Sequence, residues 1–415
     1  MPTKTQTTMQ MIDLTDLPSE KAVNKAIAHA VENGASDLML LAHEDFYALN
    51  IRQLGVIRPL SIVSRDMGRR FSQYIKAQAG MDVAEHRHPH DGRWIYEDLI
   101  DEAADDEDTE DRTVDLRISS IPTLHGEDTV IRLLSRGTGL FDLQDIGLSK
   151  KELASVRLML DSPGGLILCC GPTGSGKTAT LYAALDYLND GTRKINTIED
   201  PIEFAIDGLR QSQINHTVGI HFAELLRGVL RQSPDIIMIG EIRDKETATT
   251  AVHAANSGHI VLSTIHAPVA AAAVESMRSL GVNNHFLATA LRGVISQRLV
   301  RTLDPERRVE YDISHAPQMF ESIKPLLDED AKFYAPGASD DHSGYDGQTG
   351  VFEVMNMNNE LRNMVSNGAD TNHLRKQAHA DGMLDFKSNA LLKVAQGKTS
   401  VEEVFRVIPG EYLED

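Results

Sequence analysis

Residues 171–178 read Gly-Pro-Thr-Gly-Ser-Gly-Lys-Thr, directly after the apolar run Leu166-Ile167-Leu168-Cys169-Cys170. An apolar run of that length bounded by glycine reads as a buried strand, and the composition of Ala179 to Asn189 reads as a helix. A glycine-rich G-x-x-x-x-G-K-T loop between a strand and a helix is a phosphate loop. Its glycines let backbone N–H groups turn inward around α- and β-phosphates. Lys177 reaches the β- and γ-phosphates, and the Thr178 hydroxyl can ligate Mg²⁺. The helix N-terminus adds orphan N–H groups and a dipole that favour anions. The candidate contacts are Gly171, Pro172, Thr173, Gly174, Ser175, Gly176, Lys177 and Thr178, with Thr180 further along the helix. The expected ligand is a nucleoside triphosphate. A glycine-rich loop without a ligand is the alternative.

Composition narrows the class. At 415 residues the chain has room for two or three domains, and 41% hydrophobic with 25% charged residues is ordinary for a globular protein. No apolar stretch approaches the ~18 residues of a membrane span, and Met1 to Gln6 carries no apolar signal core, so a cytoplasmic location is expected. Two adjacent cysteines, Cys169 and Cys170, make neither a disulfide framework nor a zinc site and read as buried small apolar residues. Net charge is −20, and ten of the fifteen residues from Glu97 to Asp111 are acidic. That run reads as a solvated insertion. Such acidity argues against a protein that grips nucleic acid, where Lys and Arg must neutralise phosphates.

Pattern divides the chain further. Residues 1–20 read as a flexible polar tail. Residues 21–136 read as a small α+β domain, PAS-like in outline, carrying the acidic insertion at 97–111. Ala22, Val23, Ala26, Ile27 and Ala30 recur at helical spacing, Asp37 to Leu41 reads as a strand, Tyr47 to Ile57 as a hairpin, and Phe71 to Met81 as a second helix. His88 to Arg93 reads as a turn, and Thr113 to Ser119 and Thr129 to Leu134 as paired strands. A linker at 137–140 leads to a core over 141–302, where strands at 166–170, 194–198, 236–239 and 260–264 alternate with helices. That alternation predicts a doubly wound parallel sheet, a RecA-like phosphate-loop NTPase core, whose ligand sits at the carboxyl ends of the strands. Residues 303–415 read as mainly helical, with helices at Phe320–Leu327, Glu360–Val365, Thr371–His379, Met383–Ala395 and Val401–Val407.

Hydrolysis of a γ-phosphate needs metal ligands, a residue that orients or deprotonates water, and positive charge. The third core strand reads Asp235-Ile236-Ile237-Met238-Ile239-Gly240-Glu241. Glu241 leaves its carboxyl end and is placed to activate water. The usual metal carboxylate beside it is replaced by Gly240, and Asp235 lies at the opposite end. The second strand ends in Glu199-Asp200-Pro201-Ile202-Glu203, so Glu199 is assigned to the hydrated Mg²⁺ shell with Thr178, while Asp200 and Glu203 stay open as alternatives. An acidic proline turn is the plain reading of that segment. His266 follows the fourth strand and is expected to sense the γ-phosphate, whereas His259 at the other end reads as structural or intersubunit.

Together these motifs resemble the secretion ATPases that drive type II secretion and type IV pilus assembly. The family's Asp box looks like Thr197 to Glu203, its atypical second motif like Arg231 to Asp235 through Gly240 to Asp244, and its His box like Gly258 to His266. Ala35 to Asp37, Met81 to Glu85 with Asp91 to Arg93, and Gly344 to Gly350 also resemble family signatures, so the likeness runs from about residue 21 to 407. The resemblance implies a homo-hexameric ATP hydrolase that takes ATP with Mg²⁺ and is peripheral to the inner membrane through a membrane platform protein and its secretion or pilus machinery. It also implies that Arg117 and Arg132 complete a nucleotide site; Arg227, Arg231 and Arg243 are further candidates for charge compensation. Two departures stand out. Arg301 to Ser343 contains no cysteine, so no structural zinc of the family's four-cysteine type is expected. The acidic insertion splits the N-terminal domain where relatives have a short connection, and no room is expected for an added N-terminal docking domain. Pilus retraction, a hydrolysis-deficient regulatory ring and a nucleic-acid translocase are the rival readings.

Overall fold

The computed structural model describes residues 11–97, 113–135, 142–310, 332–337 and 344–413. They form two compact units that divide near residue 139. The N-terminal unit contains α1 (Ser19–Glu32), β1 (Asp37–Ala42), β2 (Phe46–Gln53), β3 (Val56–Ser64), α2 (Arg65–Gln78), β4 (His90–Glu97), β5 (Thr113–Thr123) and β6 (Gly126–Ser135). Its six strands form an antiparallel sheet in the order β3-β2-β1-β6-β5-β4. The periodic apolar set of α1 is buried with Phe71 and Ile75 of α2 against Leu38, Leu49, Leu116 and Ile131 of the sheet. This is the expected α+β arrangement, with two differences. His88 to Arg93 is not simply a turn: His90 onward pairs with β5, because an edge strand needs only one neighbour's ladder to form. Residues 11–18 are also held, with Leu14 buried in the core and the Ile12 N–H bonded to the Leu60 carbonyl at 3.0 Å. The acidic insertion lies outside the described residues apart from Glu97, which ends β4.

One contact in this unit makes a quantitative test. Gly68, in the first turn of α2, lies against the Tyr47 ring, and a Cβ built there overlaps Tyr47 Cγ and Cδ2 and stands 2.6 Å from its Cβ. Tyr47 is itself buried. Gly68→Ala is expected to destabilise the unit by about 1–3 kcal/mol, although alanine is the better helix former by about 1 kcal/mol. Urea unfolding followed by Trp94, the single tryptophan, reads this unit directly. An unchanged midpoint would show that Tyr47 yields at no cost.

The second unit begins with α3 (Lys150–Leu160), closed by a reciprocal cap between Ser149 and Glu152. There follow β7 (Gly165–Cys170), α4 (Lys177–Leu188), β8 (Ile195–Glu199), β9 (Arg210–Gln213), α5 (Phe222–Val229), β10 (Ile236–Ile239), α6 (Lys245–Asn256), β11 (Ile260–Ile265), α7 (Ala272–Ser279), α8 (Asn284–Ala290) and β12 (Leu291–Leu303). Short strands β13 (Val309–Glu310) and β14 (Tyr334–Ala335) pair with each other. Then come β15 (Tyr345–Asn356), α9 (Asn359–Ser366), α10 (Thr371–Ala380), α11 (Phe386–Ala395) and α12 (Val401–Val407). The main sheet runs β15-β12-β7-β11-β10-β8-β9, parallel throughout except for β15. The four expected core strands are β7, β8, β10 and β11, and their carboxyl ends share one edge.

The C-terminal region is helical as expected, but its start differs. Residue 303 falls at the end of a strand, β12, and β15 returns to add an antiparallel edge to the same sheet. The region therefore packs within the core unit. The expected helix at 320–327 lies outside the described residues. Cys169 and Cys170 are buried in β7, where burial pushes both thiols up, Cys170 to about 12. Among the described residues no helix is long and apolar enough to cross a membrane.

Candidate functional site

The phosphate loop leaves β7 at Gly171 and enters α4 at Lys177. Gly171 sits at φ +141°, where a side chain would collide with the Gln297 carbonyl, and Gly176 caps α4 in the left-handed region at φ +84°. The first turn of α4 has neither a side-chain cap nor an acidic residue, so its orphan N–H groups are left for an external anion. Lys177 Nζ donates to the Gly171 and Pro172 carbonyls, each at 2.9 Å. Burial pushes its pKa down, while the nearby Glu241 charge works the other way.

A cleft of about 490 Å³ opens over this loop. Its walls include Thr173 to Thr178, Glu199, Asp200, Glu203, Gly240, Glu241, Arg243 and His266, so residues from the ends of β7, β8, β10 and β11 converge there. Thr178 is exposed in it; Thr180 is buried and does not line it. Gly171 and Pro172 serve it through the carbonyls that hold Lys177.

Gly240 explains how two acids from separate strands fit. A Cβ at Gly240 would meet the Ile198 carbonyl at 3.3 Å and Glu199 Cα at 3.5 Å, so the end of β8 bounds the space where an acidic side chain at 240 would start. The β10 end is locked by β11: Ser263 Oγ donates to the Ile239 carbonyl and Thr264 Oγ1 to the Gly240 carbonyl, both at 2.7 Å. Glu241 then leaves the strand between Arg243 and His266. Arg243 lies 2.6 Å from its Oε2, and His266 Nε2 lies 2.8 Å from its Oε1. The His266 contact is proximity rather than a directed hydrogen bond, since Oε1 has no partner of hydrogen-bonding geometry. The hydrogen bond to Glu241 also pushes the Arg243 guanidinium up.

Glu199 is 3% exposed, and both its oxygens are held. Tyr182 Oη donates to Oε2, Thr197 Oγ1 to Oε1 at 2.5 Å, and Gln211 Nε2 to Oε1 at 3.1 Å. Asp200 is exposed and faces His216 at 3.4 Å. Asp235 is at the far end of β10, accepting the Lys194 N–H at 2.7 Å, and does not line the cleft. His259 contacts the Ala254 carbonyl at 3.0 Å within its own helix end. Arg227 pairs with Glu246, and neither it nor Arg231 lines the cleft. In the N-terminal unit, Arg117 and Arg132 face each other across β5 and β6, and Arg132 Nε lies 3.3 Å from Asp37.

Sequence reasoning passed over Gln297 and Tyr182. Gln297 is buried on β12, and its Nε2 donates to the Ser175 carbonyl at 2.7 Å, bracing the loop from behind. Neither has a sequence signal, because the partners that give them meaning come from other strands. A triphosphate with Mg²⁺ suits the donors present: an uncapped helix start, a glycine cradle, one lysine, an exposed threonine hydroxyl and carboxylates on the facing strand ends.

Residues 13–406 match the family described as Type II/IV secretion system protein. The Type II secretion system ATPase E of Vibrio cholerae is 38% identical over 396 residues, which cover 94% of this chain and 76% of that protein. The type IV pilus assembly ATPase PilB of Pseudomonas aeruginosa is 34% identical over 393 residues, covering 94% of this chain and 68% of that protein. Among solved structures, the Legionella pneumophila ATPase DotB superposes with a TM-score of 0.68 at 19% identity, over 95% of this chain and 97% of that one, a likeness of fold alone. With a family match along nearly its whole length, this chain belongs to the type II/IV secretion system proteins.

Proposed function

We propose that this chain is an ATP-hydrolysing motor that powers assembly of a type II secretion pseudopilus or a type IV pilus. The observation that carries the reading is the meeting of Glu241 with Lys177 in one cleft, close enough for their charges to interact. Support for the process comes from relatives named as a secretion ATPase and a pilus assembly ATPase. In this reading the loop amides and Lys177 bind the triphosphate. Bound magnesium would neutralise phosphate charge, with the Thr178 hydroxyl and Glu199 serving it. Glu241 orients the attacking water and takes its proton. Arg243 and His266 hold that carboxylate in place, and Arg243 adds positive charge for the phosphates. Hydrolysis without mechanical coupling would be futile, so the finer proposal is a homo-hexameric ring, with Arg117 and Arg132 supplying further cations, acting on a membrane platform protein at the inner membrane's cytoplasmic face.

The purified chain should release phosphate from ATP only when Mg²⁺ is present, and Lys177→Ala should remove that release. Wild-type protein that releases no more phosphate than Lys177→Ala would leave a nucleotide-holding ring as the better reading. Light scattering with and without ATP reads ring formation.

A further inference from the structure

We propose that Tyr182 is the positioning residue of the metal side of the cleft: its hydroxyl aims the Glu199 carboxylate and ties the acidic turn to the phosphate-loop helix. The inference rests on the proposed role of Glu199 toward Mg²⁺.

Tyr182 lies on α4, five residues beyond Lys177, and is 1% exposed. Its hydroxyl donates to Glu199 Oε2 and accepts the Glu203 N–H at 3.3 Å. Its ring packs edge-on against Phe204, centroids 4.5 Å apart. One side chain thus joins the helix that carries Lys177 to the end of β8 and to the turn behind it.

The geometry at Glu199 shows what that bond decides. A carboxylate offers about four acceptor directions. Two on Oε1 are taken by Thr197 and Gln211, and one on Oε2 by Tyr182. The direction left over belongs to Oε2, the oxygen that Tyr182 alone holds among the described residues. Thr197 and Gln211 pin one end of the group, and the tyrosine sets the angle of the other. A carboxylate that serves a magnesium ion through its water shell needs that angle held, since partners of this kind set metal affinity without touching the ion.

The test uses the full chain and Tyr182→Phe, which keeps the ring and its contact with Phe204 and deletes only the hydroxyl. The first readout is equilibrium binding of a fluorescent, non-hydrolysable ATP analogue titrated with Mg²⁺; the second is the same binding in EDTA. In Tyr182→Phe the Mg²⁺ needed for half-maximal enhancement should rise about 10- to 100-fold, with binding in EDTA unchanged. An unshifted Mg²⁺ titration would overturn the proposal, and so would an equal loss of binding in EDTA, which marks a residue that only shapes the pocket. Glu199→Gln separates the two claims. If it shifts the titration and Tyr182→Phe does not, the tyrosine inference fails alone; if neither shifts it, the reading of Glu199 fails as well. The double variant should shift no further than Glu199→Gln, because the tyrosine acts through that carboxylate. An additive shift would also overturn the proposal.

Discussion

Glu241→Gln is expected to lower kcat for ATP hydrolysis by about 10²–10⁴-fold while ATP binding is retained. Glutamine keeps the shape of the side chain but cannot take a proton from water. The residue stands at the carboxyl end of β10 with only part of its side chain exposed, and Arg243 and His266 fix it from either side. Nothing in the phosphate loop's own bonds depends on it: Lys177 is anchored on the Gly171 and Pro172 carbonyls, and Ser175 on Gln297. The variant therefore separates holding a nucleotide from splitting it. Phosphate release at saturating ATP and equilibrium binding of a fluorescent analogue measure the two. A kcat within twofold of wild type would remove Glu241 from the chemistry, and lost binding would make it a structural residue of the cleft.

The second large effect concerns stability. Glu403→Gln is expected to destabilise the core unit by about 3–5 kcal/mol at neutral pH, the usual cost of breaking a buried ion pair from one side. Glu403 on α12 is fully buried and bonds Arg301 of β12 through its backbone N–H at 2.9 Å, Nε at 3.0 Å and a terminal nitrogen at 2.8 Å. Arg406 adds two more bonds at 2.7 and 2.6 Å. Burial by itself raises the Glu403 pKa, but the hydrogen bonds from Arg406 and Arg301 outweigh it and the group ends below its ordinary value. A carboxyl lowered in the folded state contributes its full stability above the unfolded value of about 4.3, and that contribution fades as pH falls through the folded value. The difference between wild type and Glu403→Gln should thus be flat near neutrality and shrink below about pH 4. Urea midpoints across that range measure it. A difference that grew with acid would contradict the assignment.

Much of the core was legible because its signals are local. Parallel strands buried on both faces read as apolar runs; β7 and β10 are unbroken, while β8 and β11 are interrupted by Asn196, Thr197, Ser263 and Thr264. The helices α1 and α9 to α12 were legible from composition and apolar spacing; the caps at Asp370, Asp385 and Ser400 set their starts, and Asp385 moves the start of α11 from 383 to Phe386. The convergence of Glu199 and Glu241 followed from strand ends alone, since parallel strands share a carboxyl edge.

Strand β12 was not legible. It buries Ser296, Gln297, Arg298 and Arg301, and a strand with four buried polar side chains has no hydrophobic pattern to read. Their partners are the Ser175 carbonyl, the Pro268 carbonyl and Glu403, the last of these 102 residues from Arg301. Strand β15 was also missed, since its first half, Asp346 to Gly350, is polar and glycine-rich and pairs only with β12.

By itself, the order of residues determined a phosphate loop between a buried strand and a helix, the strands whose ends surround it, and two candidate acids in place of one at position 240. Only the folded chain decided how those acids are held. Whether Glu199 is free or pinned by Tyr182, Thr197 and Gln211, and which side chains flank Glu241, depends on side chains brought together across strands. The physical reason is that a loop's conformation is set by neighbours in the sequence, whereas a buried charge takes its properties from whatever neighbours in space solvate it in place of water.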